Sequence, residues 1–341
     1  FTIDEETGMT GAFELKGGLL DGTILLNLDT EEDNELTIGC AGGIDVTAKG
    51  TYTIEDVPSG TVGHKLVVKG LNGGHSGTEI HFGRGNANKI MNRMLLASEE
   101  YGLRIASIEG GSLRNAIPRE SVATFVVPAD HEAAFTTALK ALQANIISEY
   151  STTDPELKIE LSKADVSGKV MAAKDQGQFL RAVQACPNGI YRMSPDVEDL
   201  VQTSNNVARI ELKDGTFTTM CLTRSSVDSE KLDEANSIKA VFELIGAKVD
   251  FTGSYPGWTP RPGSDIVKLM STIYRERFKE EPHVLACHAG LECGILGTNY
   301  PDMEMISFGP TIRGAHSPDE YVVISSVQKY WGFLLETLER I

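Results

Sequence analysis

Residues Thr23-Ile24-Leu25-Leu26-Asn27-Leu28 form a nearly unbroken apolar run that stops at Asp29 and the polar stretch 30–34. Such a run predicts a strand covered on both faces of an α/β sheet, and residues 1–43 as a whole read as strand, turn and strand. From about Gly43 the period changes. Residues 64–69 alternate as a strand, 70–77 are a glycine-rich loop, and 86–101 form an amphipathic helix with Ile90, Met91, Met94 and Leu95 on its apolar side. Strands at 104–109 and 121–127 follow, then a helix over 131–150. A second set begins with strands 207–212 and 216–222, joined through Lys213-Asp214-Gly215, a hairpin signal. Ser229 to Ile245 reads as a helix capped by Ser229 and stopped by Gly246, and 248–251 returns as a strand. The two sets share an order of elements and predict one inserted α+β domain over 44–256. Pro256 to Gly263 is a rigid, turn-rich connector. After it, helix 265–279, a short stretch 291–296, strand 303–308 and helix 324–341 complete an α/β layer. The fold class predicted is α/β, with a split domain (1–43 plus 257–341) interrupted by a large lid.

At 341 residues the chain is long enough for about two domains, each with its own core. No apolar run approaches the ~20 residues that cross a bilayer, so no membrane partner is expected. The net charge of −17 argues against nucleic acid, which needs clustered Lys and Arg. Five scattered cysteines, none in a C-x-x-C pair, argue against a disulfide framework or structural zinc and fit reduced thiols in the cytoplasm.

Candidate chemistry begins at Glu5-Glu6-Thr7-Gly8. Adjacent carboxylates in an extended segment point apart and can divide the roles of metal ligand and proton acceptor. Asp29 follows a buried strand, where ligands of α/β sheets bind. His316 lies in Gly314-Ala315-His316-Ser317-Pro318, a loop between strand and helix. Singly, each has an ordinary reading: a solvated acidic pair, a loop cap, a surface imidazole. No single residue carries the case.

In combination these stretches resemble one family. Glu-Glu-Thr-Gly, Leu-Leu-Asn-Leu-Asp-Thr-Glu-Glu, Gly-Cys-Ala-Gly-Gly (39–43) and Gly-Ala-His-Ser-Pro-Asp-Glu are similar, in order, to motifs of the co-catalytic zinc peptidases that include peptidase T, carnosinases and glutamate carboxypeptidase. Gly73-Gly74-His75-Ser76-Gly77 and Arg114-Asn115-Ala116-Ile117-Pro118 look like that family's lid motifs. The large lid, Leu222–Ser226 and His288–Gly294 resemble the branch that cleaves aminoacyl-histidine dipeptides.

The resemblance implies a zinc-peptidase catalytic domain with an inserted lid and dimerisation domain, and hydrolysis of dipeptides, Xaa-His (carnosine-like) among them. Glu5 would be the general base and Glu6, Asp29 and His316 metal ligands. Two Zn²⁺ ions per site are implied in the full-length protein, with Co²⁺ or Mn²⁺ as substitutes. His75 would polarise the scissile carbonyl, in dimeric members from the partner's lid, so a homodimer through the lid is expected. Asn115, Arg224 and the backbone at Gly290 would hold the substrate, Arg224 taking a carboxylate with its planar fork. The family's His-x-Asp motif and bridging Asp would precede Phe1. The catalytic domain is therefore expected to be incomplete here, and the chain alone inactive. Two alternatives stay open: a non-catalytic dimerising or peptide-binding module, and a related tripeptidase or acyl-amino-acid hydrolase.

Overall fold

The computed structural model describes residues 2–315 and 319–341. Its strands fall into two main sheets. The first has four strands: β1 (Ile24–Asn27), β2 (Glu35–Cys40), β12 (His283–Cys287) and β13 (Glu304–Ser307), in the order β1-β13-β2-β12. β1 is parallel to β13 and β12 to β2, while β13 meets β2 antiparallel at Ser307 and Thr37. β1 thus lies at a sheet edge and its residues are half-buried, which corrects the expectation of a strand covered on both faces. Helices α7 (Asp265–Phe278) and α9 (Ile324–Arg340) pack on this sheet. Between them and the strands, Leu36, Ile38, Met270, Tyr274, Ile306, Phe308 and Phe333 build the core.

The second sheet has nine strands. Those that organise it are β3 (Gly42–Thr51), β4 (Thr61–Lys69), β5 (Arg104–Gly110), β6 (Ser121–Pro128), β7 (Lys158–Lys163), β9 (Val201–Lys213), β10 (Thr216–Ser225) and β11 (Lys248–Tyr255). Their order is β7-β4-β6-β5-β9-β10-β3-β11, with β8 (Gly189–Met193) paired to β9. The order is a palindrome. Counting each half's strands along the chain, β4–β7 stand as fourth, first, third, second; β3, β9, β10 and β11 mirror that as second, third, first, fourth. Helices α3 (Ala87–Ala97) and α4 (Glu132–Glu149) cover the first half. Helix α6 (Asp228–Glu243) covers the second, and α5 (Ala173–Ala185) lies between the two, against α3, α6 and β5. The halves meet where β5 and β9 run antiparallel over Ile108–Gly110 and Ile210–Leu212. One core runs beneath both, from Phe125 and Phe135, 5.8 Å apart and edge to face, to Phe179 and Phe217.

Three local expectations change. The amino-terminal segment is helical rather than extended: α1 (Glu5–Gly8) and α2 (Thr10–Glu14) flank Met9, which sits in the left-handed region at φ 55°. Helix α6 starts at Asp228, with Val227 as its N-cap, so Ser229 lies within the first turn. The strand expected from Val207 begins at Val201, because its polar start is buried rather than looped out. Gln202, Thr203, Ser204, Asn205 and Asn206 are each 8% exposed or less. Burial on that scale demands partners. Asn206 donates to the carbonyls of Arg114 and Ala116, Asn205 donates to that of Pro187, and Thr203 shares a hydrogen bond with Ser225.

Candidate active site

The loop 287–292, between β12 and α8 (Glu292–Asn299), is where the two sheets and the amino-terminal segment meet. From the amino-terminal side, Thr2 Oγ1 donates to Glu292 Oε2 at 2.7 Å. A side chain at Gly290 would lie 3.3 Å from the Met9 methyl and 3.1 Å from the Tyr255 ring. Asp29 is exposed just past β1. The thiols of Cys287 and Cys293 are pushed up chiefly by burial, and the Asp29 charge adds to both shifts. Cys40, opposite Cys287 in register, is pushed up by burial to about 12. These thiols are packing residues.

From the lid, a short loop brings His75. Gly74 and His75 pair with Ile117 and Ala116, which sets His75 beside the 114–118 stretch. Glu79 fixes the loop: it accepts from His75 N at 2.7 Å and from Arg84 Nη1 at 2.9 Å. These bonds, the backbone one foremost, hold its carboxyl below the usual range. The N–H groups of Gly77 and Thr78 donate to His75 Nδ1 at 3.2 and 3.1 Å. With Nδ1 accepting, the neutral ring carries its proton on Nε2. That Nε2 lies 3.4 Å from Arg224 Nη2, and Arg224 is 5% exposed. The imidazole and the guanidinium therefore stand side by side. Arg224 Nη1 donates to the Tyr255 hydroxyl at 2.8 Å, which fixes the guanidinium. Gly43 leaves room for the Tyr255 ring, since a Cβ there would overlap it at 2.6 Å.

His288 joins the lid to the loop. Its Nε2 lies 2.8 Å from Ser204 Oγ on β9. Burial, then the charges of Arg224, His75 and His81, push its pKa down to about 3, so the ring is neutral at working pH. Gly77 is the point of closest approach: a side chain there would collide with the His288 carbonyl oxygen and lie 3.1 Å from Arg224 Nε.

The structure thus brings His75, Arg224 and Gly290 together around Tyr255, and Asp29 is exposed just past β1. Asn115 is exposed, with its carbonyl accepting from Ser76 N at 2.8 Å. Glu5 is half-buried in α1. The Glu6 side chain and His316 lie outside the described residues. Carboxylates and an imidazole are donors that suit zinc, but among the described residues no three His, Cys, Asp or Glu side chains come together as a metal group. Sequence reasoning missed Tyr255 and Ser204, and it quoted His288 only as part of the 288–294 motif, without a role. The signal for Ser204 was the run Gln202–Asn206, five polar residues leading into an apolar strand.

The peptidase dimerisation domain family matches residues 66–154. Over its whole length the chain is 42% identical to the cytosol non-specific dipeptidase of Escherichia coli (strain K12), spanning 70% of that protein. It superposes on the aminoacylhistidine dipeptidase of Vibrio alginolyticus with a TM-score of 0.96 and 42% identity, covering all of this chain and 70% of that one. No described helix is long and apolar enough to cross a membrane.

Proposed function

This chain belongs to the M20 family of peptidases, and from that premise we propose that it is a metal-dependent dipeptidase acting on Xaa-His and other dipeptides. The observation that supports this most is the approach of His75 Nε2 to the Arg224 guanidinium, 3.4 Å apart. Two fixed donors suit the oxygens of a short peptide, and a lid clasped at Gly77 suits a substrate with little chain beyond its two residues.

In this proposal Glu6, Asp29 and His316 hold two divalent ions, zinc first and cobalt or manganese as substitutes. When bound, the metal supplies an acidified water and a polarised carbonyl. Glu5 takes the proton from the attacking water and passes it to the leaving amine. His75 donates to the developing oxyanion. Arg224, oriented by Tyr255, holds the substrate carboxylate, and Asn115 and the Gly290 backbone steady the rest of the dipeptide. His75 meets Arg224 of its own chain, so this donor pair draws on one protomer even in the homodimer that we propose forms through the lid. The layers 1–43 with 257–341 and the lid 44–256 are the working parts. We place the protein in the cytoplasm, as the Escherichia coli relative's name places that enzyme in the cytosol. The expectation that this chain alone is inactive finds no support in its 42% identity to an enzyme.

The test is hydrolysis of Ala-His, Ala-Ala and a tripeptide with zinc, cobalt or manganese supplied. Turnover of dipeptides that stops with chelator is the expected result. Metal binding without turnover of any peptide would favour the peptide-binding module, and faster cleavage of tripeptides or acyl-amino acids would move the substrate class.

A further inference from the structure

Two of the five cysteines meet inside the lid. Cys186 caps the end of α5, Cys221 lies on β10, and each is 1% exposed. Hydrogen bonds bring them together from two sides. Asn205 donates to the Pro187 carbonyl at 2.7 Å, and the Cys186 thiol lies 3.7 Å from the same oxygen. Val207, the ladder partner of Cys221, donates its N–H to Asn188 Oδ1 at 3.0 Å. The segment 186–188 is therefore laid across β9 beside Cys221, and the two thiols are hydrogen-bonded to each other.

A second sulfur at this place is both a proton donor and a reaction partner, which a lone packing thiol lacks. The hydrogen bond from Cys186, more than any other group, holds the Cys221 thiol below its usual range against the effect of burial. The Asn205 amide and the charges of Arg114 and Lys89 act in the same direction. Lys89 is fixed beside the pair, its ammonium donating to the carbonyls of Val183, Gln184 and Cys186 at 2.7, 3.0 and 2.8 Å. Cys40 and Cys287 differ: each thiol points at a backbone carbonyl, Leu291 O at 3.7 Å and Ala289 O at 3.5 Å.

We propose that Cys186 and Cys221 form a dithiol that a peroxide converts to a disulfide inside the folded lid, a redox-sensitive device set just before Arg224 on β10. The Cys221 thiolate attacks one peroxide oxygen and the O–O bond breaks. The hydroxide that leaves takes up the proton Cys221 had released and departs as water. Cys186 then attacks the sulfenic sulfur of Cys221. The S–O bond breaks, the S–S bond forms, and a second water carries off that oxygen with the Cys186 proton. Two thiols lose two electrons and one peroxide gains them. Drawing the sulfurs to about 2.05 Å ties the end of α5 to the strand that carries Arg224. The assignment holds for any substrate.

The test adds hydrogen peroxide to the folded chain, alkylates the remaining thiols after unfolding, and reads an unreduced digest by mass spectrometry. The expected product is a cross-linked pair of peptides carrying Cys186 and Cys221, with Cys40, Cys287 and Cys293 alkylated. The oxidised chain should melt on the order of 5 °C above the reduced one, and a reductant should reverse the shift. Cys186→Ala removes the second thiol and should leave Cys221 as a sulfenic acid that dimedone labels. The cross-link is read in the parent, so the test stands even where the variant does not fold. No cross-link, a cross-link that forms only in denaturant, or a Cys40–Cys287 bridge that forms first overturns the proposal.

Discussion

Glu234, on the inner face of α6, is 0% exposed, and neither carboxylate oxygen has a hydrogen-bond partner among the described residues. Burial, with the charges of Asp233 and Glu230 adding to it, raises its pKa from 4.5 to about 7. An unfolded chain releases this proton near 4.5, so between about pH 4.5 and 7 the folded protein holds one proton more than the unfolded one. Stability then falls as pH rises through that window and levels off above it. At about 1.4 kcal/mol per pKa unit the loss totals about 3 kcal/mol. Glu234→Gln keeps the shape and removes the charge. The variant should match the parent near pH 5 to within about 1 kcal/mol and exceed it by about 3 kcal/mol near pH 8. Urea unfolding followed by far-ultraviolet circular dichroism across that range reads both values. An equal pH slope in parent and variant would refute the reasoning and show that Glu234 finds water or a partner in solution.

Four further outcomes follow from the site. Gly77→Ala forces the His288 carbonyl and the lid loop apart, and a displacement of about 1 Å should lower kcat/KM for dipeptides about 10²-fold, with the lid's melting temperature little changed. Arg224→Lys trades a fork that reaches Tyr255 and, in the proposed function, the substrate carboxylate for a point charge. KM should rise on the order of tenfold while kcat falls less, as steady-state kinetics with Ala-His would show. Chelation should abolish hydrolysis yet leave the circular dichroism melt of the lid in place, because its core of Phe125, Phe135, Phe179 and Phe217 contains no proposed metal ligand. His64 is buried between Phe125 and Phe135, and burial lowers its pKa. Stability should therefore fall with acid below about pH 6.5, and His64→Leu should remove that part of the acid sensitivity in the same melts.

The helix at 86–101 was legible because Ile90, Met91, Met94 and Leu95 recur at helical spacing; it is α3 (Ala87–Ala97), followed by a tighter turn over Glu99–Tyr101. The glycine-rich lid loop was legible too. Other features depend on partners far along the chain, which periodicity does not record. The run Gln202–Asn206 looks like a loop until the carbonyls of Arg114, Ala116 and Pro187 are seen to need its donors. β1 carries a core pattern yet lies at an edge. His288 is one histidine in a glycine-bearing stretch, and only packing against Ser204, Gly77 and Arg224 gives it a role. Residues 1–8 misled because helical turns built around Asp4 and Met9 with positive φ have no propensity signal.

β3 pairs with β10 from Gly42↔Ser225 to Thr51↔Thr216, with all of 52–215 between them. Within that interval β4 to β7 and their helices form a contiguous half whose ends lie together, since β7 runs antiparallel beside β4 and sets Lys163 opposite His64. Until that half has formed, β3 and β10 must find each other across a long open coil; afterwards the gap is bridged by a compact body with adjacent ends, and the entropy of closure shrinks. The dependence runs one way. The β4–β7 half can assemble with its own neighbours, whereas the half that carries Arg224 and Tyr255 waits on it. A substitution in the core around Phe125 or Phe135 should therefore delay the appearance of the pair proposed to hold the substrate more than its cost in equilibrium stability suggests.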